Sequence, residues 1–281
     1  MSVSHLVQFS GGISSWRCAR RVAESIYQPG DRLILVFAGT LIEDEDLYRF
    51  LGEAVADIQK IVPTTEFVRL ADGRDPWQVF RDVRFLGNTR VDPCSRILKR
   101  EIISTWRDSQ FTPETCVTYL GFSWDESDRW EKARPLWAPW PVRAPLCEKP
   151  FLPMGRVAAM QACRDAGIEP PRLYAMGFSH NNCGGFCVKA GHAHFKLLLE
   201  KLPDRYAEHE RKEQEFRDFL GRQDIAILKD RREGTVKPLT LRELRERTLT
   251  TQESFDFGGC SCFLPDTSEG SEDGRSAWVG Q

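Results

Sequence analysis

Two pairs of cysteines in glycine-rich sequence have the residue types and spacing of metal ligands. Cys183 and Cys187 enclose Gly-Gly-Phe, and Cys260 and Cys262 follow Gly-Gly with one serine between them. Thiolates bind both iron–sulfur clusters and zinc, and neighbouring glycines give backbone N–H groups access to cluster sulfurs. The spacing leaves open which metal is bound and which of the two C-terminal thiols binds it.

Histidines near the first pair add other chemistry. His192 and His194 offer nitrogen ligands for a zinc site formed with that pair. His180 is a candidate general base, although a histidine in a loop more commonly forms hydrogen bonds at the surface. The choice between these roles stays open at this point.

A third thiol, Cys94, lies in a basic segment that begins a predicted helix. Arg96 and Lys99 follow it closely, and cationic neighbours at a helix N-terminus favour the thiolate form. Cys94 and Lys99 are therefore catalytic candidates, and Cys94 is also a candidate metal ligand. Arg96 and Lys99 could instead hold a phosphate or sulfate.

A glycine-serine turn between the first predicted strand and helix could bind an anion. Its candidate binding residues are Ser10, Gly11, Gly12, Ser14 and Ser15. Glycines let the backbone approach a phosphate, hydroxyls donate hydrogen bonds, and a helix N-terminus adds unpaired N–H groups and positive potential. The alternative is a serine that caps the helix after a glycine turn.

Further ligand candidates follow two other predicted strands. These are Gly39, Thr40, Gly121, Glu126 and Arg129. Ligands gather at the carboxyl ends of strands in open α/β sheets, which favours a binding role for these residues. The acidic run at residues 43–46 could hold Mg²⁺ or ribose hydroxyls, but acids at the start of a helix are the favoured interpretation of the group as a whole.

Strands alternate with helices along the chain, which predicts an α/β fold with a doubly wound, mostly parallel sheet. The apolar patterns predict strands at residues 6–9, 32–38, 65–70 and 115–122, and helices at residues 13–27, 44–61, 93–106, 153–166 and 193–220, the last broken near Pro203. The proline- and tryptophan-rich segment 134–153 predicts an ordered loop or crossover. Cys18, Cys116 and Cys163 are expected in the core.

Composition limits the classes of protein. A hydrophobic content of 41% and a charged content of 28% exclude a wholly disordered chain. A net charge of −2 argues against nucleic-acid binding through bulk charge, although a local patch stays possible. The sequence shows neither a long apolar run nor a signal-peptide pattern, so we expect no membrane partner and a cytoplasmic location. We expect an α/β domain at residues 1–180, which the resemblance described next implies is nucleotide-binding, a cysteine-bearing helical region at 181–264 and a disordered tail at 265–281.

Taken in order, the motifs resemble those of the PP-loop ATP pyrophosphatase superfamily, and more closely its phosphoadenosine phosphosulfate (PAPS) reductase-like branch, which is common in phage and mobile elements. The resemblance is carried by SGGISS at 10–15, VFAGTLIEDEDLYRFL at 36–51, DPCSRILKRE at 92–101, LGFSWDES at 120–127 and NNCGGFCVKAG at 181–191. It implies a Rossmann-like, adenine nucleotide alpha hydrolase-like fold. In that fold the loop at 10–15 would bind the phosphates or sulfate of ATP or a related nucleotide, together with Mg²⁺.

The resemblance also implies an activity. We expect ATP-dependent adenylation or sulfur transfer, with sulfite release from PAPS or APS as one alternative and a non-catalytic nucleotide-binding module with structural zinc as another. Cys94, Cys183 and Cys187 correspond to cysteines that hold a 4Fe–4S cluster in some relatives, and Cys260 or Cys262 would supply the fourth ligand. The acceptor could be a nucleobase in DNA or tRNA or a small molecule, and the chain could form a homodimer.

Overall fold

A five-stranded sheet in which all strands are parallel forms the centre of the computed structural model, which describes residues 2–88, 91–152, 155–231 and 235–247. The strands are β1 (Ser4–Gln8), β2 (Arg32–Gly39), β3 (Glu66–Ala71), β4 (Cys116–Tyr119) and β5 (Val142–Arg143). Their order across the sheet is β3-β2-β1-β4-β5. The chain therefore reverses its direction of travel across the sheet between β1 and β4, which is the arrangement of Rossmann-like folds.

Helices cover both faces of this sheet and extend beyond it. They are α1 (Ile13–Ser25), α2 (Glu45–Ile61), α3 (Pro76–Asp82), α4 (Pro93–Ser95), α5 (Ile102–Gln110), α6 (Ser127–Ala133), α7 (Gly155–Asp165), α8 (Arg172–Ala175), α9 (His192–Lys201), α10 (Pro203–Leu220) and α11 (Leu241–Glu246). A π-helical segment, Arg96–Glu101, joins α4 to α5. The strands β6 (Leu228–Asp230) and β7 (Lys237–Leu239) form a separate antiparallel pair.

Apolar side chains on alternate positions of β1 explain the two layers of core. Val7 packs with α1, α2 and α7 on one face, whereas Leu6 packs with Ile103 of α5 on the other. Because both faces are covered, β2 is buried over almost its whole length and is apolar from Leu33 to Ala38. Cys18, Cys116 and Cys163 are at most 1% exposed, which confirms that they are core residues.

A second apolar cluster joins the C-terminal region to α3. Trp77 and Phe80 of α3 pack with Phe195 of α9 and Phe216 of α10, and Leu239 of β7 belongs to the same cluster. A capping box between Asp75 and Gln78 fixes the start of α3. The cysteine segment is therefore held against residues that lie about a hundred positions earlier in the chain.

The structure confirms the predicted alternation and changes several details. The predicted strands and helices are present within a few residues of their expected ends, and the break in the last predicted helix falls at Leu202, between α9 and α10. The segment 134–153 is more than a loop or crossover, because it supplies β5 at one edge of the sheet. Helices α3 and α11 and the β6–β7 pair were not predicted.

Two of the sequence-based predictions concern residues after position 247. The predicted tail at 265–281 and the thiols of Cys260 and Cys262 lie outside the described residues. Within the described ranges, no helix has both the length and the apolar character needed to cross a bilayer.

Candidate functional site

A cavity of about 430 Å³ opens where the carboxyl ends of β1 and β4 separate. Its lining combines the loop after β1, the segment after β4 and the residues that precede Cys183. The lining residues are Ser10, Gly12, Ile13, Ser14, Ser15, Arg17, Gly121, Phe122, Ser123, Trp124, Asp125, Glu126, Arg129, Leu146, Leu152, Gly155, Arg156, Ala159, Tyr174, Ser179, His180, Asn181 and Asn182. A parallel α/β sheet places its ligand at this switch point.

The glycine-serine loop directs the start of α1 at this cavity. Gly11 has a φ of +76°, and a side chain there would press on Leu47 at 3.0 Å, so the turn requires glycine. Asn181 Nδ2 donates to Gly11 O at 3.0 Å and holds the loop in place. Gly12 is the N-cap of α1 and provides no side-chain cap. The N–H of Ile13 donates to the hydroxyl of Tyr174 at 3.4 Å, and Ile13, Ser14 and Ser15 all line the cavity. The positive end of the helix dipole therefore lies at the cavity.

The serines of the loop have different surroundings. Ser15 Oγ donates to Gly12 O at 2.7 Å, and Ser10 Oγ lies 3.4 Å from Ser15 Oγ. Ser14 lines the cavity along with both of them. Of the predicted anion-binding residues, Ser10, Gly12, Ser14 and Ser15 thus line one cavity, while Gly11 shapes the turn behind them.

The segment after β4 forms the opposite wall, as predicted for Gly121, Glu126 and Arg129. A Cβ atom on Gly121 would lie 3.0 Å from the backbone of Ser14, so glycine permits the two segments to approach closely. Glu126 accepts from Ser123 N and Oγ and also pairs with Arg129. Arg129 and Glu126 therefore bring opposite charges to the same wall.

Two arginines in the cavity lining were missed by the sequence analysis. Arg17 lies one turn after Ser14 on α1, and Arg156 lies at the start of α7. The helical period alone would have placed Arg17 on the same face as Ser14. For Arg156 the sequence gives no signal, because its proximity depends on how α7 packs on α1.

Some predicted binding residues lie next to the cavity and not in its wall. Thr40 is 1% exposed, and its N–H and hydroxyl both donate to Glu43 Oε1, at 2.8 and 2.7 Å. Gly39 ends β2 beside it. Arg96 forms an exposed ion pair with Glu101 at 2.5 Å. The structure thus places Arg96 on the surface and not among the residues that line the cavity.

A pocket of about 20 Å³ links the end of β2 to the glycine-serine loop. Glu43, Lys99, Ser10 and Asn182 all line it. Glu43 Oε2 is buried and has no hydrogen-bond partner among the described residues. Burial of a carboxylate oxygen without a hydrogen bond is unfavourable, and a ligand or ion bound to it could offset this free-energy cost.

The acidic run at 43–46 lies at the start of α2, as favoured from the sequence, and Asp44 within it has a structural role. Asp44 is fully buried and caps α2 by accepting from Asp46 N. Its carboxylate pairs with Arg172 at 2.7 Å and with Arg205 at 3.2 Å. Arg205 also donates to the carbonyl of Gly184, so Asp44 ties α2, α8 and α10 to the cysteine segment.

Cys183 is held in a strained turn beside a cation. Its backbone has a φ of +51°, a region that residues other than glycine seldom occupy. Lys99 Nζ, on the π-helical segment, lies 3.7 Å from Cys183 Sγ, and Thr40 Oγ1 lies 3.8 Å from it. The ammonium group favours the thiolate form of this sulfur, and π-helical segments are frequent at functional sites.

The other two described candidate thiols lie nearby in the fold. Cys94 and Cys187 both pack, half-buried, against the apolar cluster that contains α3, α9 and α10. Lys189 Nζ pairs with Asp92 at 3.4 Å and so joins the segments that carry them. Within the described ranges, no group of three or more histidine, cysteine or acidic side chains is placed to hold a metal ion. The described thiols thus do not by themselves form a cluster site, and we assign no reaction step to an iron–sulfur cluster.

The histidines proposed for zinc have backbone partners. His192 Nε2 lies 2.9 Å from Lys229 O, and His194 Nε2 lies 2.7 Å from Gly185 O. The other ring nitrogen of His194 is buried without a partner among the described residues. No group of three or more metal-binding side chains in the described part of the chain combines these rings with Cys183 and Cys187, and the zinc site stays a prediction.

His180 lines the cavity as a neutral ring. Its Nδ1 accepts from Asn182 N at 3.4 Å, and its ring stacks on His194 with the centroids 5.1 Å apart. Burial lowers the pKa of His180 to about 3, with further lowering by His194, Lys99 and Arg156. A ring with so low a pKa is a weak base near neutral pH, so the geometry favours hydrogen bonding over general-base catalysis.

The fold and site thus define an α/β protein with a parallel sheet and, at its switch point, a cavity lined by both polar and apolar side chains. Neither the sequence profiles of known protein families nor the curated proteins include a match to this chain.

Proposed function

We propose that the chain is an enzyme that binds an adenine nucleotide, with the nucleotide's phosphates against the start of α1. The observation that carries this proposal is the N-terminus of α1, which has no side-chain cap from its N-cap residue and meets the 430 Å³ cavity through Gly12, Ser14 and Ser15. Backbone amides, hydroxyls and the helix dipole together form a site for a phosphate or sulfate group. Arg17 and Arg156 add positive charge to the same cavity.

The reaction that fits this site best is adenylation or sulfur transfer, as the PP-loop resemblance implies. In adenylation, an acceptor oxygen forms a bond to the α-phosphorus while the bond to pyrophosphate breaks, and no redox step is needed. Arginines of the cavity would stabilise the charge that develops on the departing pyrophosphate. Asp125 would offer Mg²⁺ a carboxylate on the same wall, and Mg²⁺ would take its remaining ligands from phosphates and water.

A second candidate function follows from the pairing of Cys183 with Lys99. The Cys183 thiolate would form a bond to the sulfur of a sulfonucleotide while the bond from that sulfur to the nucleotide's phosphate oxygen breaks. An external thiol would then form a disulfide with Cys183 as sulfite leaves, and a second thiol would reduce that disulfide. The 3.7 Å contact between Lys99 Nζ and Cys183 Sγ favours this candidate. The sulfonucleotide would occupy the same cavity, so the two candidates differ in reaction and not in location.

Calorimetric titration of the full chain with ATP and with PAPS, in the presence of Mg²⁺, tests the nucleotide site. Ser14→Asp introduces a negative charge at the start of α1 and should weaken nucleotide binding by at least about tenfold. Thr105→Asp makes the same change of charge at an exposed position of α5 and should leave binding unchanged. Absence of binding at millimolar nucleotide, or equal effects of the two variants, would remove the proposal.

Product analysis separates the candidate functions. Sulfite released from PAPS by the protein and dithiothreitol identifies a reductase, whereas ATP-dependent pyrophosphate release identifies adenylation. Nucleotide that binds but is never consumed, together with one zinc per chain, identifies the non-catalytic module. Anaerobic purification with iron, sulfide and zinc analysis then decides which metal the cysteines hold.

A further inference from the structure

A second cavity, of about 760 Å³, runs along α1 between that helix, α7 and the segment 143–152. Its volume falls in the range of small-molecule sites. Arg17 and Leu152 line both this cavity and the nucleotide cavity. The two cavities therefore share these two side chains in their walls.

The charges around the second cavity do not balance. Five arginine and lysine side chains line it, against three carboxylates. The carboxylates of Glu24 and Glu148 are already paired with arginines, Arg20 at 2.7 Å and Arg143 at 2.5 Å. The third, Asp165, accepts a hydrogen bond from a glutamine.

Three cations of this cavity have no carboxylate partner in the described part of the chain. They are Arg17, Arg21 and Lys149. Arg21 Nη1 donates to the carbonyl of Pro150 at 2.7 Å, which does not neutralise its charge. Arg17 is half-buried, and burial lowers the pKa of its guanidinium. An anion at this position would offset that desolvation.

The rest of the lining is apolar enough to hold a hydrocarbon body. Trp16, Leu152, Ala158 and Ala162 contribute to the wall between the charged groups. Trp16 is 1% exposed and is fixed by an Nε1–H bond to Asp57 at 3.0 Å, so this part of the wall is rigid. A cavity with an apolar wall and a few convergent charged groups is the usual form of a site for a small organic molecule.

We propose that the second cavity binds a small organic anion with an apolar body, and that this anion is the acceptor substrate. The acceptor role rests on the nucleotide function proposed above, whereas the anion site does not. A carboxylate acceptor would balance the adenylation step: one of its oxygens bonds to the α-phosphorus, and the bond to pyrophosphate breaks. Arg17, shared by both cavities, would position that carboxylate toward the nucleotide.

The test uses a matched pair of fluorescent probes with the full chain. 1-Anilinonaphthalene-8-sulfonate (ANS) has an apolar body and an anionic group, and N-phenyl-1-naphthylamine has the same body without the charge. We expect ANS to bind saturably and at least about tenfold more tightly than the neutral probe. Equal affinity for both probes would show a merely apolar pocket and would overturn the proposal.

Variants locate the binding. Ala158→Trp fills the second cavity and Arg21→Gln removes one of its charges, so each should weaken ANS binding by about tenfold or more. Arg156→Gln alters only the nucleotide cavity, and Arg222→Gln removes an exposed guanidinium that pairs with Asp224; both should leave ANS binding unchanged. If Arg156→Gln abolishes ANS binding and Ala158→Trp does not, the probe occupies the nucleotide cavity and the proposal is wrong.

Nucleotide titrations keep the two proposals distinguishable. Retained ATP binding by Ala158→Trp shows that this variant is folded. Arg21→Gln tests ANS binding in the same cavity with a smaller change of side-chain volume. Arg17→Gln should weaken both ANS and ATP binding, because Arg17 lines both cavities. If ANS binds to the wild type and its variants as expected but ATP does not bind, the anion site is supported. The acceptor role is then wrong, together with the proposed function.

Discussion

Lys99 and Cys183 are 84 positions apart in the sequence, yet Lys99 Nζ lies 3.7 Å from Cys183 Sγ. The lysine comes from the π-helical segment that follows α4, and the cysteine comes from the left-handed turn before α9. Thr40 Oγ1, at the end of β2, is 3.8 Å from the same sulfur. Three distant segments therefore meet at one thiol close to the cavity at the switch point.

This contact predicts that Lys99→Met makes Cys183 less reactive. Without the ammonium group the thiolate is less favoured, and the rate of alkylation by iodoacetamide at pH 7 should fall by about three- to tenfold. Peptide-resolved mass spectrometry measures Cys183 separately from the other cysteines. Lys201→Met, which changes an exposed lysine paired with Glu200, is the control. Equal alkylation rates of Cys183 in the wild type, Lys99→Met and Lys201→Met would contradict a functional pairing of Lys99 with Cys183.

A second prediction concerns the close approach of the two cavity walls. Gly121→Ala places a methyl group 3.0 Å from backbone atoms of Ser14 and Ser15, and a backbone contact cannot be relieved by a change of rotamer. The loop must shift, so ATP affinity should fall about fivefold, equivalent to about 1 kcal/mol. Calorimetric titration with ATP measures the change.

Gly52→Ala is the matched control for this substitution. Gly52 lies within α2, and nothing is within 4 Å of the position of an added Cβ atom. This variant should bind ATP as the wild type does and gain about 0.5–1 kcal/mol in its free energy of unfolding, since alanine favours a helix over glycine. Equal ATP affinities for Gly121→Ala and the wild type would show that the walls are not in close contact.

The third prediction concerns Asp44, whose carboxylate is fully buried between two arginines. Asp44→Asn removes its charge and leaves Arg172 and Arg205 without their partner. Because the side chains of Arg172 and Arg205 are 45% and 23% exposed, water partly solvates the charges that are left. We therefore expect the free energy of unfolding to fall by about 2 kcal/mol, the range for a buried hydrogen bond to a charged group. Chemical denaturation measures this loss. Asp224→Asn, in an exposed pair with Arg222, should change stability by less than about 1 kcal/mol, and a similar loss in both variants would argue against a structural role for Asp44.

Local sequence was sufficient to predict the elements that form the cavity at the switch point. The apolar run of β2, the helical period of α1 and the glycine turn between β1 and α1 are short-range signals. They place Ser10, Gly12 and Ser14 correctly at the carboxyl edge of the sheet. In contrast, β5 has only two residues, which is too short to show a strand period among prolines and tryptophans.

What the sequence could not predict depends on tertiary packing. The hydroxyl of Tyr174 lies 3.4 Å from Ile13 N, although 161 positions separate the two residues in the chain. The ion pairs of Asp44 likewise join residues more than a hundred positions apart. A charge such as Arg17 is ordinary on a helix surface, and only the packing of α7 and the loop at 143–152 turns that surface into a cavity wall.

A buried glutamate provides a pH-dependent contribution to stability. Glu213 of α10 is 1% exposed, and its two carboxylate oxygens accept from Ile227 N at 2.9 Å and from Leu241 N at 2.7 Å. Burial raises the pKa of Glu213 to about 7, although these two backbone hydrogen bonds lower it in part. The folded protein therefore keeps the proton on Glu213 at pH values where the unfolded chain has lost it.

The sign of the effect follows from this difference. The stabilising contribution is fully present below the unfolded pKa, about 4.3, and is lost as the pH rises through the folded value of about 7. We expect the stability of the wild type, relative to Glu213→Gln, to fall by about 3 kcal/mol between pH 4.5 and pH 7.5. Chemical denaturation at several pH values measures it. Glu215→Gln changes an exposed carboxylate of α10 and should follow the wild type, because both retain Glu213. A difference between the wild type and Glu213→Gln that does not vary with pH would mean that Glu213 ionises normally in the folded protein.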